Sequence, residues 1–221
     1  VFNYNKPVWE IKRVFLFNKM KKIKLAIQKS GRLNKESISL LEKSGIKFEN
    51  FKDQLKVNCE NFPMNIYFLR NSDIPRYLSD GVVDVAIIGQ NLIYESELNI
   101  NEVMPLNFSK CRVSIAIPEK MKYDKISDLN KIKIATSYPN TLNNFLIKNN
   151  LDCEIHKING SVEIAPNIGL SDAICDIVST GNTLYKNNLK EILTISNSEA
   201  VLCNSDSFDL SKKQILDKLI F

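Results

Sequence analysis

Short apolar runs alternate with amphipathic stretches along most of this chain. Strand-like runs rich in β-branched residues occupy residues 22–28, 64–70, 83–89, 112–118, 131–137, 153–158 and 173–179, and residues 191–203 contain one or two more. Apolar residues at helical spacing occupy residues 35–44, 74–80, 142–149 and 211–219. Because strands that alternate with helices are typical of α/β proteins, the pattern predicts that fold class with a largely parallel sheet.

The predicted strand at residues 173–179 leads into a loop of small, hydroxyl-bearing residues. Apart from Asp176, residues 173–178 are apolar, as in the interior of a parallel sheet, and Ser-Thr-Gly-Asn-Thr follows at positions 179–183 where the strand ends. Backbone N–H groups and hydroxyls of such a loop can bind an anion, and Gly181 allows a close approach and a positive φ. The loop therefore predicts a phosphate site in which Asp176 accepts hydrogen bonds from sugar hydroxyls, with an ordinary turn as the alternative.

A second candidate segment passes from strand to helix at residues 28–33, Gln-Lys-Ser-Gly-Arg-Leu. Ser30 and Gly31 would lie at the helix N-terminus, with Lys29 and Arg32 close by. Helix N-terminal N–H groups and two cations suit a polyphosphate. A capped turn with solvated charges explains the same residues equally well.

Three further positions each allow a structural and a functional interpretation. Asp73 precedes a predicted helix with Pro75 in its first turn, so it is expected to cap that helix. Tyr138 follows a predicted strand and serves either packing or recognition. Glu163 either faces the phosphate site or caps the short helix that it begins.

Composition limits the possible classes of protein. The 221 residues are 44% hydrophobic, enough for one large or two small α/β lobes, and the net charge of +5 is spread without a basic block, which argues against nucleic-acid binding. The five cysteines are scattered singly, which indicates a reducing compartment and no structural zinc. Since neither a signal peptide nor an apolar span is visible, the sequence predicts a cytoplasmic protein without membrane contact.

The long segment around the phosphate loop resembles the signature of the ATP phosphoribosyltransferases, which catalyse the first step of histidine biosynthesis. The matching residues are Glu163, Gly169, Ser171, Asp172, Ile174, Asp176, Thr180, Gly181, Thr183 and Leu184. The segments IAIQKSGRL, Arg-x-x-Asp-Ile-Pro from Arg70 and Ala-Thr-x-Tyr-Pro up to Pro139 resemble other motifs of that family. The resemblance extends over about residues 22–219.

This resemblance implies transfer of the phosphoribosyl group of phosphoribosyl pyrophosphate to N1 of ATP, with release of pyrophosphate. It implies catalytic roles for Asp176 and Glu163 and contacts to phosphoribosyl pyrophosphate from Asp172, Ser179, Thr180, Gly181, Asn182 and Thr183. It implies contacts to ATP or its polyphosphate from Lys29, Ser30, Gly31, Arg32, Arg70, Asp73 and Tyr138. Mg²⁺ would bridge pyrophosphate oxygens, and the sequence identifies no protein ligand for it.

The alternative is a two-lobed module that binds a small anion, or a degenerate homologue without catalysis. Loss of the phosphate loop or of its aspartate would favour that alternative, and both are present. Relatives carry acidic residues near position 90, where this chain has Gln90, Asn91 and Glu95, so no carboxylate role is assigned at Gln90.

The family's fold is like that of periplasmic binding proteins, with a substrate cleft between two α/β lobes. It implies one lobe from residues 20–107 plus 193–221, and a second lobe from residues 108–192 that carries the phosphoribosyl loop. Residues 1–19 precede Met20 and are expected to be an N-terminal extension without a function.

The length of the chain bears on its expected partners. Long family members continue into a C-terminal regulatory domain that binds histidine, whereas this sequence ends at Phe221. We expect either a shortened long form or a short form that relies on a regulatory subunit resembling histidyl-tRNA synthetase. Either form is expected to be a homo-oligomer or a hetero-oligomer.

Overall fold

The computed structural model describes residues 21–49, 54–206 and 208–218. The predicted extension at residues 1–19 and the end of the last predicted helix lie outside these residues. Two compact units make up the chain, the first from Val1–Ile88, Asn99–Met104 and Val201–Phe221, and the second from Gly89–Leu98 and Pro105–Ala200.

Strands and helices alternate along the described residues. The strands are β1 Ile23–Gln28, β2 Lys56–Asn58, β3 Met64–Leu69, β4 Val85–Gly89, β5 Ile100–Pro105, β6 Cys111–Pro118, β7 Lys133–Thr136, β8 Glu154–Lys157, β9 Ala173–Val178, β10 Leu189–Ser198 and β11 Ala200–Ser205. The α-helices are α1 Arg32–Lys43, α2 Ile74–Ser79, α3 Gln90–Ser96, α4 Pro139–Lys148, α5 Asn182–Lys186 and α6 Lys213–Asp217. Short 3₁₀ helices span Ile126–Leu129, Val162–Ile164, Pro166–Ile168 and Leu210–Lys212.

The first unit is built on a six-stranded sheet in the order β2-β3-β1-β4-β11-β5. Strand β1 runs parallel to both β3 and β4, while β2 is antiparallel to β3. The inner strands are almost continuously apolar, and Leu25, Ile27, Ile66 and Ile87 are fully buried. Such runs pack on both faces of a sheet, which is why the hydrophobic pattern predicted them correctly.

The second unit is built on a five-stranded sheet in the order β10-β6-β9-β7-β8. Strand β9 is an interior strand, as predicted, but it lies parallel to β7 and antiparallel to β6. The predicted, largely parallel arrangement is therefore wrong for this sheet, whose strands pair in both directions. Apolar clusters cover the two faces, one with Val113, Ile115 and Cys175 and the other with Ile174 and Val178.

Strand β10 carries two irregularities in its pairing with β6. The register shifts between Glu191 and Leu193 and again between Thr194 and Ser196. Each shift places one extra residue in β10, as in a β-bulge. Because of these bulges, residues three positions apart in β10 face residues two positions apart in β6.

The hydrophobic pattern found the long elements and missed the short ones. All seven predicted strands are present, and residues 191–203 fall in β10 and β11. Strands β2 and β5 and helices α3 and α5 were not predicted, because each is short and carries few apolar residues in a clear period. No helix in the described part of the chain is long and apolar enough to cross a membrane.

Candidate functional site

The predicted phosphate loop forms a small pocket in the second unit. The loop leaves β9 at Val178 and enters α5 at Asn182, and Gly181 adopts a left-handed conformation with φ of 82°. The pocket has a volume of about 130 Å³ and is lined by Glu163, Asp176, Ile177, Val178, Ser179, Thr180, Gly181, Thr183 and Leu184. Most of the residues expected to hold phosphoribosyl pyrophosphate are therefore brought together here.

Asp176 is the half-buried carboxylate of this pocket. It accepts a hydrogen bond of 2.8 Å from the backbone N–H of Ile177. The pKa of Asp176 is raised to about 6, mainly by burial; the hydrogen bond from Ile177 opposes the rise, and the nearby Glu163 carboxylate contributes to it. The ionised form of Asp176 is therefore disfavoured by its surroundings, and a nearby cation or hydroxyl donors would stabilise it.

Glu163 reaches the same pocket from the 3₁₀ helix Val162–Ile164. This helix follows Ser161, whose backbone is left-handed with φ of 49°. Val162 is fully buried in the apolar cluster that also contains Ile174 of β9, which anchors the helix beside the strand. Two carboxylates from separate elements therefore face one small pocket.

Asp172 does not join these residues, so the expectation that it contacts the phosphoribosyl group is not supported. It lies immediately before β9, at the opposite end of the strand from the phosphate loop. Its carboxylate accepts a 2.8 Å hydrogen bond from the backbone N–H of Lys133, and its own N–H donates to the Lys133 carbonyl. Six residues of extended chain separate it from the loop, a distance of about 20 Å.

The residues expected to contact ATP from the first unit lie at one edge of its sheet. Strands β1 and β3 are parallel with Gln28 opposite Leu69, and the N–H of Lys29 donates to the Leu69 carbonyl over 2.7 Å. The two segments that follow these strands are therefore neighbours. The exposed residues in them are Lys29, Ser30, Gly31 and Arg32 after β1, and Arg70 and Asp73 after β3.

Asp73 stands at the N-cap position of α2, yet its side chain makes no capping hydrogen bond. Its carboxylate accepts instead from the Ser72 hydroxyl over 3.0 Å. The predicted capping role is therefore wrong, because the backbone of Asp73 is already near-helical rather than extended.

Tyr138 is packed inside the second unit and is only 8% exposed. Its hydroxyl accepts a 3.1 Å hydrogen bond from the Asn91 side-chain amide, and its backbone N–H donates to the Thr136 hydroxyl. The Asn91 amide oxygen in turn accepts from Ser198 over 2.9 Å. Burial raises the pKa of Tyr138, so the phenol stays neutral.

Glu95, in α3, caps a different helix. Its carboxylate accepts from the backbone N–H groups of Asn140 and Thr141 at 3.0 and 2.9 Å and from the Thr141 hydroxyl at 2.8 Å. These N–H groups belong to the first turn of α4, where no intrahelical acceptor is available. No local pattern indicates this role, since a capping residue normally lies just before its own helix.

Arg112 of β6 is a second residue that sequence reasoning missed. Its guanidinium binds both carboxylate oxygens of Glu191 in β10, and its Nη1 donates to the Ser179 carbonyl over 3.3 Å. Hydrogen bonds from Arg112 hold the pKa of Glu191 below its ordinary value. Arg112 and Glu191 stand 79 positions apart, so only the strand pairing reveals the contact.

The pocket also offers the donor set that a magnesium ion on a phosphorylated substrate needs. The described residues hold no cluster of three or more histidine, cysteine or acidic side chains. Mg²⁺ in nucleotide sites is commonly held by one or two carboxylates together with substrate phosphates and waters. Asp176 and Glu163 fit that smaller requirement.

Comparison with known proteins identifies the family that this chain resembles. Residues 70–221 match the family described as HisG, ATP phosphoribosyltransferase. The ATP phosphoribosyltransferase of Cytophaga hutchinsonii is 50% identical over 199 residues, which cover 90% of this chain and 70% of that protein. The chain has a TM-score of 0.73 and 30% identity to the ATP phosphoribosyl transferase (HisG:HisZ) complex from Thermotoga maritima, covering 89% of this chain and 96% of that one.

A more distant structure shows the fold alone. A histidine kinase sensor domain with similarity to periplasmic binding proteins has a TM-score of 0.59 at 13% identity, over 91% of this chain and 90% of that one. The expected likeness to periplasmic binding proteins is therefore confirmed. By its sequence matches, the chain belongs to the ATP phosphoribosyltransferase family.

Proposed function

We propose that this protein transfers the phosphoribosyl group of phosphoribosyl pyrophosphate to N1 of ATP, giving phosphoribosyl-ATP and pyrophosphate in the first step of histidine biosynthesis. The observation that carries the proposal is the pocket that joins the loop around Gly181 to Asp176 and Glu163. Membership of the family supports the choice of substrates.

The chemistry asks for alignment and charge stabilisation rather than a strong base. Adenine N1 carries a lone pair, so it attacks the anomeric carbon of ribose without prior loss of a proton. The bond from N1 to that carbon forms as the bond to pyrophosphate breaks, and pyrophosphate leaves with the electron pair. Positive charge develops on the ribose, where negative groups held in a dry site stabilise it.

The second unit holds the phosphoribosyl group in this proposal. N–H groups and hydroxyls of Ser179, Thr180, Gly181, Asn182 and Thr183 bind the 5′-phosphate. Asp176 accepts hydrogen bonds from the ribose hydroxyls, and Glu163 adds a second negative charge next to the developing cation. Neither carboxylate has to act as a nucleophile.

The first unit supplies cations for the polyphosphate of ATP. Lys29, Arg32 and Arg70 are exposed at the ends of β1 and β3, and Ser30 and Gly31 precede the N-terminus of α1, where N–H groups point outward. Asp73 borders the nucleotide. Tyr138 is buried in the second unit, so it contributes to ATP binding indirectly, through its hydrogen bond with Asn91.

Mg²⁺ supplies charge neutralisation for the departing pyrophosphate when it is bound. Asp176 and Glu163 are the residues of this chain that would hold it, together with substrate oxygens. The loop, rather than the metal, orients the phosphoribosyl group.

We also propose that the protein works as an oligomer in the cytoplasm. The Thermotoga maritima relative is a HisG:HisZ complex. This supports a regulatory subunit that resembles histidyl-tRNA synthetase, with a homo-oligomer as the other arrangement. Light scattering at micromolar concentration tests the assembly, and a monomer in the presence of that subunit contradicts it.

The deciding experiment mixes the protein with ATP, phosphoribosyl pyrophosphate, Mg²⁺ and pyrophosphatase, and follows phosphoribosyl-ATP by its ultraviolet absorbance. It is run with and without the regulatory subunit. Ligand binding without product in either mixture would favour the anion-binding module or the degenerate homologue.

A pair of glycine variants tests the site itself. Gly181 and Gly45 both have a positive φ, of 82° and 75°, and no atom within 4 Å of an added Cβ. Each change to alanine costs about 1 kcal/mol of stability through backbone strain. We expect Gly181→Ala to lower kcat/KM for phosphoribosyl pyrophosphate by about tenfold or more, as the loss of one anion contact would, while Gly45→Ala keeps it. Equal activities in the two variants would contradict the assignment.

A further inference from the structure

The phosphate loop is tied to the sheet by a charged pair outside the pocket. Arg112 binds Glu191 through two parallel hydrogen bonds and donates a third to the Ser179 carbonyl over 3.3 Å. The two side chains are 32% and 23% exposed, so they are partly shielded from water. Bidentate arginine–carboxylate pairs fix geometry as well as adding energy.

The bulges of β10 bring Glu191 two positions closer to Arg112 along the strand pair than regular pairing would. Glu191, Thr194 and Asn197 lie opposite Ala116, Ser114 and Arg112, which share one face of β6. Regular alternation would place Glu191 and Thr194 on opposite faces of β10. With the bulges they share the face of Arg112, and the Thr194 hydroxyl donates to Glu191 over 3.3 Å.

The Asp176 carboxylate, which we propose binds the substrate, lies on this same face. Ser114 pairs with Asp176 across β6 and β9, and Arg112 pairs with Val178. The Ser114 hydroxyl donates to Thr194 over 3.4 Å. A polar row therefore runs along one face of the sheet, past Asp176 and toward the first residue of the loop.

Holding the Ser179 carbonyl determines the direction of the next N–H group. The peptide bond between Ser179 and Thr180 is trans. In a trans peptide the C=O and the following N–H point in opposite directions. With its carbonyl directed at Arg112, this peptide turns the Thr180 N–H away from Arg112, and Thr180 itself lines the pocket.

We propose that Arg112 and Glu191 are positioning residues for the phosphoribosyl substrate, in that they orient the Ser179–Thr180 peptide so that its N–H serves the 5′-phosphate. This inference rests on the proposed function. Arg112 supplies the donor, Glu191 holds the guanidinium fork in place, and neither residue touches the substrate.

The test compares Arg112→Lys with Glu154→Gln. Lysine keeps the charge but loses the fork, and Glu154 belongs to an exposed ion pair of the same unit, with Lys133 at 3.7 Å. We expect Arg112→Lys to raise KM for phosphoribosyl pyrophosphate by about tenfold, with KM for ATP within about twofold of wild type. Glu154→Gln should change neither constant. An unchanged KM for phosphoribosyl pyrophosphate in Arg112→Lys, or an equal rise in both constants, would overturn the proposal.

A charge exchange separates positioning from simple cross-strand stabilisation. The double variant Arg112→Glu with Glu191→Arg restores an ion pair, but a carboxylate at position 112 has no proton to donate to Ser179. Positioning predicts that the high KM for phosphoribosyl pyrophosphate persists in this variant. Its return to the wild-type value would show that any ion pair suffices and would overturn the proposal.

Direct binding distinguishes this proposal from the proposed function. Calorimetric titration with phosphoribosyl pyrophosphate and Mg²⁺ needs no turnover. If wild type binds the ligand without making product, the proposed activity fails, and a Kd raised about tenfold in Arg112→Lys still supports positioning. An equal Kd in the two proteins, or no binding by wild type, overturns it.

Discussion

Asp176 is held in a state that its surroundings disfavour. Its pKa is raised from 3.8 to about 6, mainly by burial in the pocket and in part by the Glu163 carboxylate. The proposed reaction needs the ionised form, which accepts hydrogen bonds from ribose hydroxyls. The fold therefore gives up stability at this residue to keep a carboxylate in the pocket where we propose that substrate binds, as active sites often do.

The pH dependence of stability follows from the raised pKa. A carboxyl group whose pKa is higher in the folded state stabilises the fold below its unfolded pKa near 4, and that contribution is lost as the pH rises through about 6. Asparagine does not ionise, so Asp176→Asn does not lose this stability as the pH rises. We expect the variant to be more stable than wild type by about 1–2 kcal/mol at pH 7.5 and equally stable at pH 4. Urea unfolding at the two pH values measures the difference.

Activity should show the opposite preference. In wild type, kcat/KM for phosphoribosyl pyrophosphate should fall below about pH 6 with the slope of a single proton. Asp176→Asn should have very low activity, and that activity should not fall in the same way below pH 6.

For the stability prediction, a gain in Asp176→Asn at pH 4 as large as that at pH 7.5 would show that the effect does not come from ionisation.

At the scale of elements, α4 depends on a cap that comes from α3. Glu95 satisfies two N–H groups of the first turn of α4 and the Thr141 hydroxyl, and the Asn140 side chain donates back to the Glu95 carbonyl over 2.9 Å. A negative charge at a helix N-terminus also interacts favourably with the helix dipole. The two helices are therefore fixed to each other by polar contacts rather than by apolar packing alone.

Removing the charge should weaken this junction without touching the pocket. We expect Glu95→Gln to lower the free energy of unfolding by about 1–2 kcal/mol, since it loses the charge-assisted bonds. Glu97→Gln is the matched control, because the Glu97 carboxylate accepts a long, weak hydrogen bond of 3.4 Å from the Asn144 side-chain amide. Chemical denaturation of both variants gives the comparison, and equal losses would contradict a special role for Glu95.

Strands and helices were predicted correctly where the hydrophobic pattern extends over many residues. Strand direction and bulges were not predicted, because they depend on which strands pair. Runs such as residues 83–89 are apolar enough to identify a buried strand without any partner. The direction of β9 relative to β6 and the bulges of β10 depend on pairing between distant segments, which no local pattern records. Asp172 was assigned to the phosphate site because it belongs to the same sequence signature, although a strand of six residues carries it to the other end.

At the scale of the whole molecule, a buried ion pair connects the C-terminal segment that carries Lys212 to the rest of the first unit. Asp84 accepts from Lys212 with both carboxylate oxygens at 2.8 Å and from the Lys24 N–H at 2.7 Å. The two charged side chains are only 11% and 12% exposed. Segments far apart in sequence are joined there by two largely buried charges.

Breaking one side of this pair should destabilise the protein strongly. Lys212→Met leaves the Asp84 carboxylate largely buried, so we expect a loss of about 2–4 kcal/mol in the free energy of unfolding. The double variant Asp84→Asn with Lys212→Met should recover part of that loss. Thermal or urea unfolding measures both, and a double variant less stable than Lys212→Met would contradict the explanation.

The sequence predicts only those parts of the candidate site whose residues lie close together along the chain. Ser179, Thr180, Gly181, Thr183 and Asp176 are close neighbours along the chain, so one motif predicted their meeting. Glu163 needed the family signature, since nothing in its own segment shows that it faces β9. Arg112 and Glu191 were missed because a salt bridge across strands leaves no trace in either strand alone.

The bulges of β10 have a consequence beyond the site. This strand is an edge of its five-stranded sheet, and an edge presents unpaired N–H and C=O groups that can recruit another chain. Two bulges bend and twist it, so a straight strand from a neighbouring molecule cannot pair along its length. The other edge, β8, has only four residues, Glu-Ile-His-Lys, three of them polar. The irregularity that brings Glu191 closer to Arg112 therefore also protects the sheet from aggregation.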